Sequence, residues 1–174
     1  EKADFSLFQP YLEQIVAYTR RFVEYWGYEG TKYNTLLDMY EPGMTVDVLD
    51  SVFSELRSRI VPLVKQIATS EHRPETGFLY KKFPKEKQHQ LNLEILKQLG
   101  YDFKAGSLDE TVHPFEIRIN RGDVRVTTRY DENDFRGAIF GTIHECGHAI
   151  YEQNIANELT GTLLDSGTSM GIHE

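Results

Sequence analysis

The chain has 174 residues, 40% of them hydrophobic and 26% charged, which is enough chain for one solid core and excludes collagenous, low-complexity and wholly disordered readings. Its 19 basic against 27 acidic residues leave a net charge of −8, which argues against nucleic acid and anionic membrane as partners. The single cysteine, Cys146, allows no intrachain disulfide, and no signal-peptide pattern opens the chain, so a reducing compartment, the cytoplasm, is expected.

In chain order, Phe5, Phe8, Leu12, Ile15, Val16, Phe22, Val23 and Trp26 recur at three- and four-residue intervals and predict a helix from about Phe5 to Tyr28, ended by Gly27 to Gly30. Tyr33 to Tyr40 reads as a short helix stopped by Glu41-Pro42-Gly43. A long apolar stripe from Val48 to Ile67 follows Thr45, a plausible N-cap, with a kink or break expected at Pro62 and the stripe facing a core. A further helix opens at Pro84 and closes at Gly100.

The period then drops to two. Phe115, Ile117 and Ile119 alternate with Glu116 and Arg118, and Val124 and Val126 alternate with Arg125 and Thr127, which predicts a β-hairpin over about 112–130 turning at Asn120 to Asp123. In a regular hairpin Ile119 would face Val124, Ile117 would face Val126, and Arg118 would face Arg125. Helical periodicity resumes after Asp131 or Asn133 and runs to about Asn157, and a last helical segment starts near Ser166. The fold expected is therefore mainly α with one small β-hairpin, a single domain over 1–174.

His144-Glu145-Cys146-Gly147-His148 is an HExxH motif on a helix whose start and periodicity are set by its neighbours, the context the motif requires. His148 lies only ~40° round the helix from His144 and one turn along, so both imidazoles can reach one metal ion. Glu145 sits close enough to touch water on that ion without being the obvious ligand, while Cys146 points away. Zinc needs a third protein ligand and an open position for water. Glu174, His173, Asp165 and Glu152 are the candidates. Glu152 shares the histidines' face but lies a further turn along the same helix, which suits an orienting role better.

The sequence resembles the HExxH metallocarboxypeptidases of the thermostable carboxypeptidase Taq type. The resemblance rests on Leu36 to Thr45, His113-Pro114-Phe115, Asp123 to Tyr130, His144 to Glu152, and Gly171-Ile172-His173-Glu174. It implies a zincin-like helical metallopeptidase core forming a groove, with His144, His148 and Glu174 binding zinc or cobalt. Glu145 would be the general base, the substrates peptides with a free C-terminus, and the assembly a homodimer. It implies too that the His-Pro-Phe and Asp-x-Arg-x-Thr elements line the groove.

Period two puts Asp123, Arg125, Thr127 and Arg129 on one face of a strand, as an extended peptide alongside would require. A bidentate arginine is the natural partner of a terminal carboxylate, Arg125 first and Arg129 second; the plainer alternative is mutual pairing, Glu116 or Asp123 neutralising Arg118 and Arg125. His113 could polarise the scissile carbonyl or simply be structural. Members of the family are longer than this chain, and the motif at His173-Glu174 normally continues. The expectation is a central fragment of the enzyme that alone binds zinc weakly and has little or no peptidase activity. A non-catalytic folding or dimerisation module and an HExxH endopeptidase are the rival readings.

Overall fold

The computed structural model describes residues 4–174. They form two compact units, one running to Glu71 and including Thr168–Ile172, the other comprising His72–Gly167 with His173–Glu174.

The first unit is helical. A single 3-10 turn (Phe5–Leu7) leads into α1 (Gln9–Trp26), which Gly27 ends with a φ of +78°; α2 (Lys32–Tyr40) and α3 (Val46–Thr69) follow. Thr45 is the N-cap of α3, its side chain accepting from Val48 N. Pro62 lies inside α3, which continues unbroken to Thr69. After Tyr40 the chain is held by Asp38, whose carboxylate accepts from Gly43 N at 2.7 Å. Glu41 Oε2 accepts from Ser169 Oγ at 2.7 Å and Gly171 N at 2.9 Å, so the acidic residue of the Glu41-Pro42-Gly43 stop secures a late segment of the chain. The expectation that the α3 stripe faces a core is corrected. Phe53 is 57% exposed and Ile67 61%, because the three helices described in this unit supply no layer over that stripe.

The second unit holds the sheet. α4 (Lys85–Leu99) starts after Pro84 and stops at Gly100, whose φ of +94° is left-handed. The sheet has three strands, β1 (Leu108–Glu110), β2 (Glu116–Asn120) and β3 (Asp123–Thr128), in the order β1-β3-β2, with β1 parallel and β2 antiparallel to β3. The predicted hairpin is thus β2–β3, and β1 is an addition to it. α5 (Phe135–Gln153) packs across the sheet, capped by Asp134 and not by Asp131 or Asn133. The last helix, α6, is a single turn from Met170 to His173, of which only His173 belongs to this unit, and it is shorter than a segment from Ser166 would be. Leu96, Tyr101, Leu108, Val124, Val126, Cys146 and Ala149 make the core. Tyr101 donates its hydroxyl proton to Val124 O at 2.5 Å. Beside it the backbone passes so tightly that a Cβ on Gly106 would lie 1.9 Å from Val124 O, which leaves room for glycine alone.

The hairpin register departs from the regular one. Asn120 does pair with Asp123, but Arg118 pairs with Val124, Ile117 with Arg125 and Glu116 with Val126, the shift falling between Arg118 and Asn120. Ile119 is the extra residue of a β-bulge, and one extra residue exchanges the two faces of β2. Ile117 and Ile119 are consequently 47% and 58% exposed, while Glu116 and Arg118 are half-buried on the side of Val124 and Val126.

Among the described residues no helix is long and apolar enough to cross a membrane.

Candidate metal centre

α5 is built to lie close to the sheet on one side and to offer polar groups on the other. Ala138, Thr142, Cys146, Ala149 and Glu152 are buried at helical spacing, and the small side chains among them let the helix approach β3 closely. Asn92 of α4 fixes the helix from a second direction, donating to Thr142 Oγ1 at 2.8 Å and Ala138 O at 3.2 Å, while Thr142 donates to Thr128 Oγ1 at 2.9 Å. Cys146 is fully buried in this packing, and burial pushes its thiol up to about 11. It faces the core, away from the histidines.

On the other side of α5, His144 and His148 place their Nε2 atoms 3.2 Å apart. A carboxylate oxygen of Glu174 lies 3.8 Å from each. These three are the one group of potential ligands found to converge among the described residues. The donor set fits a transition-metal ion. Bonds of ~2.0–2.1 Å at tetrahedral angles separate ligand atoms by roughly 3.3–3.4 Å, and the observed 3.2 and 3.8 Å bracket that separation. His144 and Glu174 are exposed, whereas His148 is 11% exposed in its side chain. The His148 ring is held by stacking on His173 at 4.6 Å, and His173 in turn meets Tyr151 edge-on at 4.9 Å.

The model of the family described as carboxypeptidase Taq (M32) metallopeptidase matches residues 1–174. The chain belongs to that family. Carboxypeptidase 1 of Bacillus subtilis (strain 168) is 64% identical over 173 residues, covering 99% of this chain and 34% of the relative. Thermostable carboxypeptidase 1 of Thermus thermophilus is 43% identical over 184 residues, covering 98% of this chain and 35% of its own length. The crystal structure of BsuCP superposes with a TM-score of 0.90 at 64% identity, over 99% of this chain and 35% of that one. The chain therefore spans about a third of the length of the curated relatives it matches. M32 proteins are metallopeptidases, so a metal is implied, and His144, His148 and Glu174 are the residues placed to receive one. Of the four third-ligand candidates, Glu174 alone joins the histidines; Asp165 and Glu152 are engaged elsewhere.

Glu145, between the two histidines in sequence, is half-buried. His113 is exposed, and its neighbour Pro114 packs on α5, where a Cβ on Gly141 would meet Pro114 Cγ at 3.7 Å. Thr127 is buried and its hydroxyl is taken up by the Phe115 backbone, donating to Phe115 O at 2.9 Å and accepting from Phe115 N at 2.8 Å. It thereby anchors the His113-Pro114-Phe115 segment to the sheet. Arg125 makes a bidentate pair with Asp123, Nε to Oδ1 and an Nη to Oδ2, both 2.7 Å, the mutual neutralisation weighed from the sequence. Arg129 lies just beyond β3, exposed.

Sequence reasoning missed the interior charge cluster beside α5. Arg118 reaches Glu152 Oε2 at 3.0 Å and Asp165 Oδ1 at 2.6 Å. Glu116 lies near it and is pushed up to about 7, first by burial, then by the charges of Glu152 and Glu145, with Arg118 opposing. A regular hairpin turns both residues to the wrong face; Glu152, one turn after His148, and Asp165, both candidate ligands by sequence, are the signals that point to the cluster.

Proposed function

We propose that this chain carries the metal-binding part of a zinc-dependent carboxypeptidase that removes C-terminal amino acids from peptides. The observation that carries the reading is the convergence of His144, His148 and Glu174 on one point in a chain of the M32 family. Zinc or cobalt suits two imidazoles and a carboxylate, and when bound it supplies Lewis acidity and brings the pKa of water towards ~7. Glu145 is then the general base, taking a proton from the attacking water on a carboxylate oxygen and passing it to the leaving amine. His113, held beside α5 by the Pro114 contact and the Thr127 anchor, is the candidate donor to the scissile carbonyl oxygen. For the terminal carboxylate, Arg125 would have to share its guanidinium with Asp123, whereas Arg129 offers its whole fork. A reducing compartment is supported by a lone, buried cysteine, and homodimerisation rests on the family resemblance.

Because the chain spans a third of its relatives' length, the decisive experiment replaces the matching third of Bacillus subtilis carboxypeptidase 1 with these residues. The chimera should release the last residue of N-blocked peptides, leave C-terminally amidated ones intact, and lose at least ~1,000-fold in kcat on Glu145→Gln. Cleavage of amidated peptides, or full activity without Glu145, would refute the reading. The 174 residues alone should show little or no such activity.

A further inference from the structure

The loop between Gln153 and α6 connects the helix bearing both histidines to the third ligand. It contains one 3-10 turn, Asn157–Leu159, and is otherwise irregular. An irregular connection of this length does not by itself deliver a carboxylate to within a few tenths of an ångström of a bonding position, so side chains must fix its course, as Glu41 does at Ser169 and Gly171.

Arg118 is placed to do so. One Nη bonds Glu152 Oε2 at 3.0 Å and also the backbone carbonyl of Asp165, and the other bonds Asp165 Oδ1 at 2.6 Å. The side chains of all three residues are at least four-fifths buried, at 17%, 10% and 18% exposure. Asp165 spreads the grip through the loop, since its other oxygen accepts from Gly161 N at 2.9 Å and its own N–H donates to Thr162 O at 3.2 Å. Glu152 stands one turn beyond His148 on α5. A single guanidinium therefore joins the metal-binding helix to the loop that leads into Glu174. Its fork geometry matters, because a lysine has one point of charge where Arg118 serves three acceptors. The β-bulge at Ile119 is what turns Arg118 to this side of the sheet, and without it the residue would face solvent.

We propose that Arg118 is a positioning residue for the metal centre, holding the Gly161–Asp165 loop against α5 at Glu152 so that Glu174 is presented to His144 and His148. Removing its charge would leave two carboxylates buried side by side, and their repulsion would move the loop, the less regular of the two partners. The ligand part of this inference rests on the metal-centre reading above; the clamp itself does not.

The test uses two readouts on Arg118→Met, Arg118→Lys and Asp165→Asn. In metal-free protein, hydrogen exchange of the amides from Gly161 to Gly167 should accelerate at least tenfold in Arg118→Met and Asp165→Asn, with the amides of α4 and β3 unchanged. Zinc affinity, measured by competition with a chelating dye, should fall ~10- to 100-fold in the same variants, with Arg118→Lys intermediate. Exchange that is unchanged in the loop, or accelerated equally throughout the unit, overturns the clamp whether or not the protein binds zinc. Loosened exchange with undiminished zinc affinity overturns the link to Glu174 while leaving the metal centre standing. Asp165→Asn nearly keeps the side chain's size but removes its charge and one of the two acceptor oxygens that hold Arg118 and Gly161, so a folding failure of Arg118→Met does not remove the test. A zinc affinity lost in His144→Ala yet untouched in all three variants overturns the proposal and upholds the metal reading. Wild-type protein that binds no zinc, with the loop loosened as expected, overturns the metal reading and the link to Glu174 together.

Discussion

Glu116→Gln should stabilise the metal-free protein at pH 8 and leave its stability unchanged at pH 4. Burial and the neighbouring Glu152 and Glu145 raise this carboxyl from 4.5 to about 7, so between those values the folded chain retains a proton that the unfolded chain has released. Stability then falls as pH rises through that window, and the cost of the charge is fully present only above pH 7. The difference of about 2.5 units corresponds to roughly 3 kcal/mol at ~1.4 kcal/mol per unit. Water reaches part of this half-buried side chain, which reduces the expected gain to about 1–3 kcal/mol. Glutamine keeps the shape and cannot ionise. The assay is the exchange-derived stability of the β3 amides from pH 4 to 8 in both proteins, with a carbon NMR titration of the Glu116 carboxyl as a direct check. A carboxyl that titrates near 4.5, or a stability difference independent of pH, would refute the reasoning.

Asn92→Ala removes a fully buried amide that donates to Thr142 and Ala138, and should cost about 2–4 kcal/mol in urea unfolding; a loss under about 1 kcal/mol would mean that α5 is held by other contacts. Cys146, buried with its thiol pushed up to about 11, should react with a disulfide reagent at pH 8 at least ~100-fold more slowly in the native protein than in urea, and reaction at the unfolded rate would show that the core behind the histidines opens freely.

What the sequence reveals here follows the range of the interactions involved. The stop of α4 at Gly100, the N-cap of α3 at Thr45 and the turn joining Asn120 to Asp123 are decided by neighbouring residues, and each is where local chemistry puts it. The register of β2 is decided by partners 34 and 47 residues away, since the bulge at Ile119 exposes two isoleucines and in return brings Arg118 to Glu152 and Asp165. Alternation along five residues cannot show that exchange. β1 is three residues, Leu108-Asp109-Glu110, too few to display a period, and exists because β3 offers it an edge. The α3 stripe is plain in the sequence, whereas its exposure is not, because amphipathicity names a face and no partner. In the site, the pair of histidines follows from helical spacing alone. Glu174, 26 residues past His148 across an irregular loop, is implied by the family resemblance, whereas spacing alone leaves His173 and Asp165 open beside it.

The most direct test of the account is zinc titration of the metal-stripped protein beside His144→Ala and Glu174→Ala. The account predicts one site per chain, abolished without His144 and weakened at least tenfold without Glu174. Absence of a site in the wild-type protein, or an affinity indifferent to both substitutions, would contradict it.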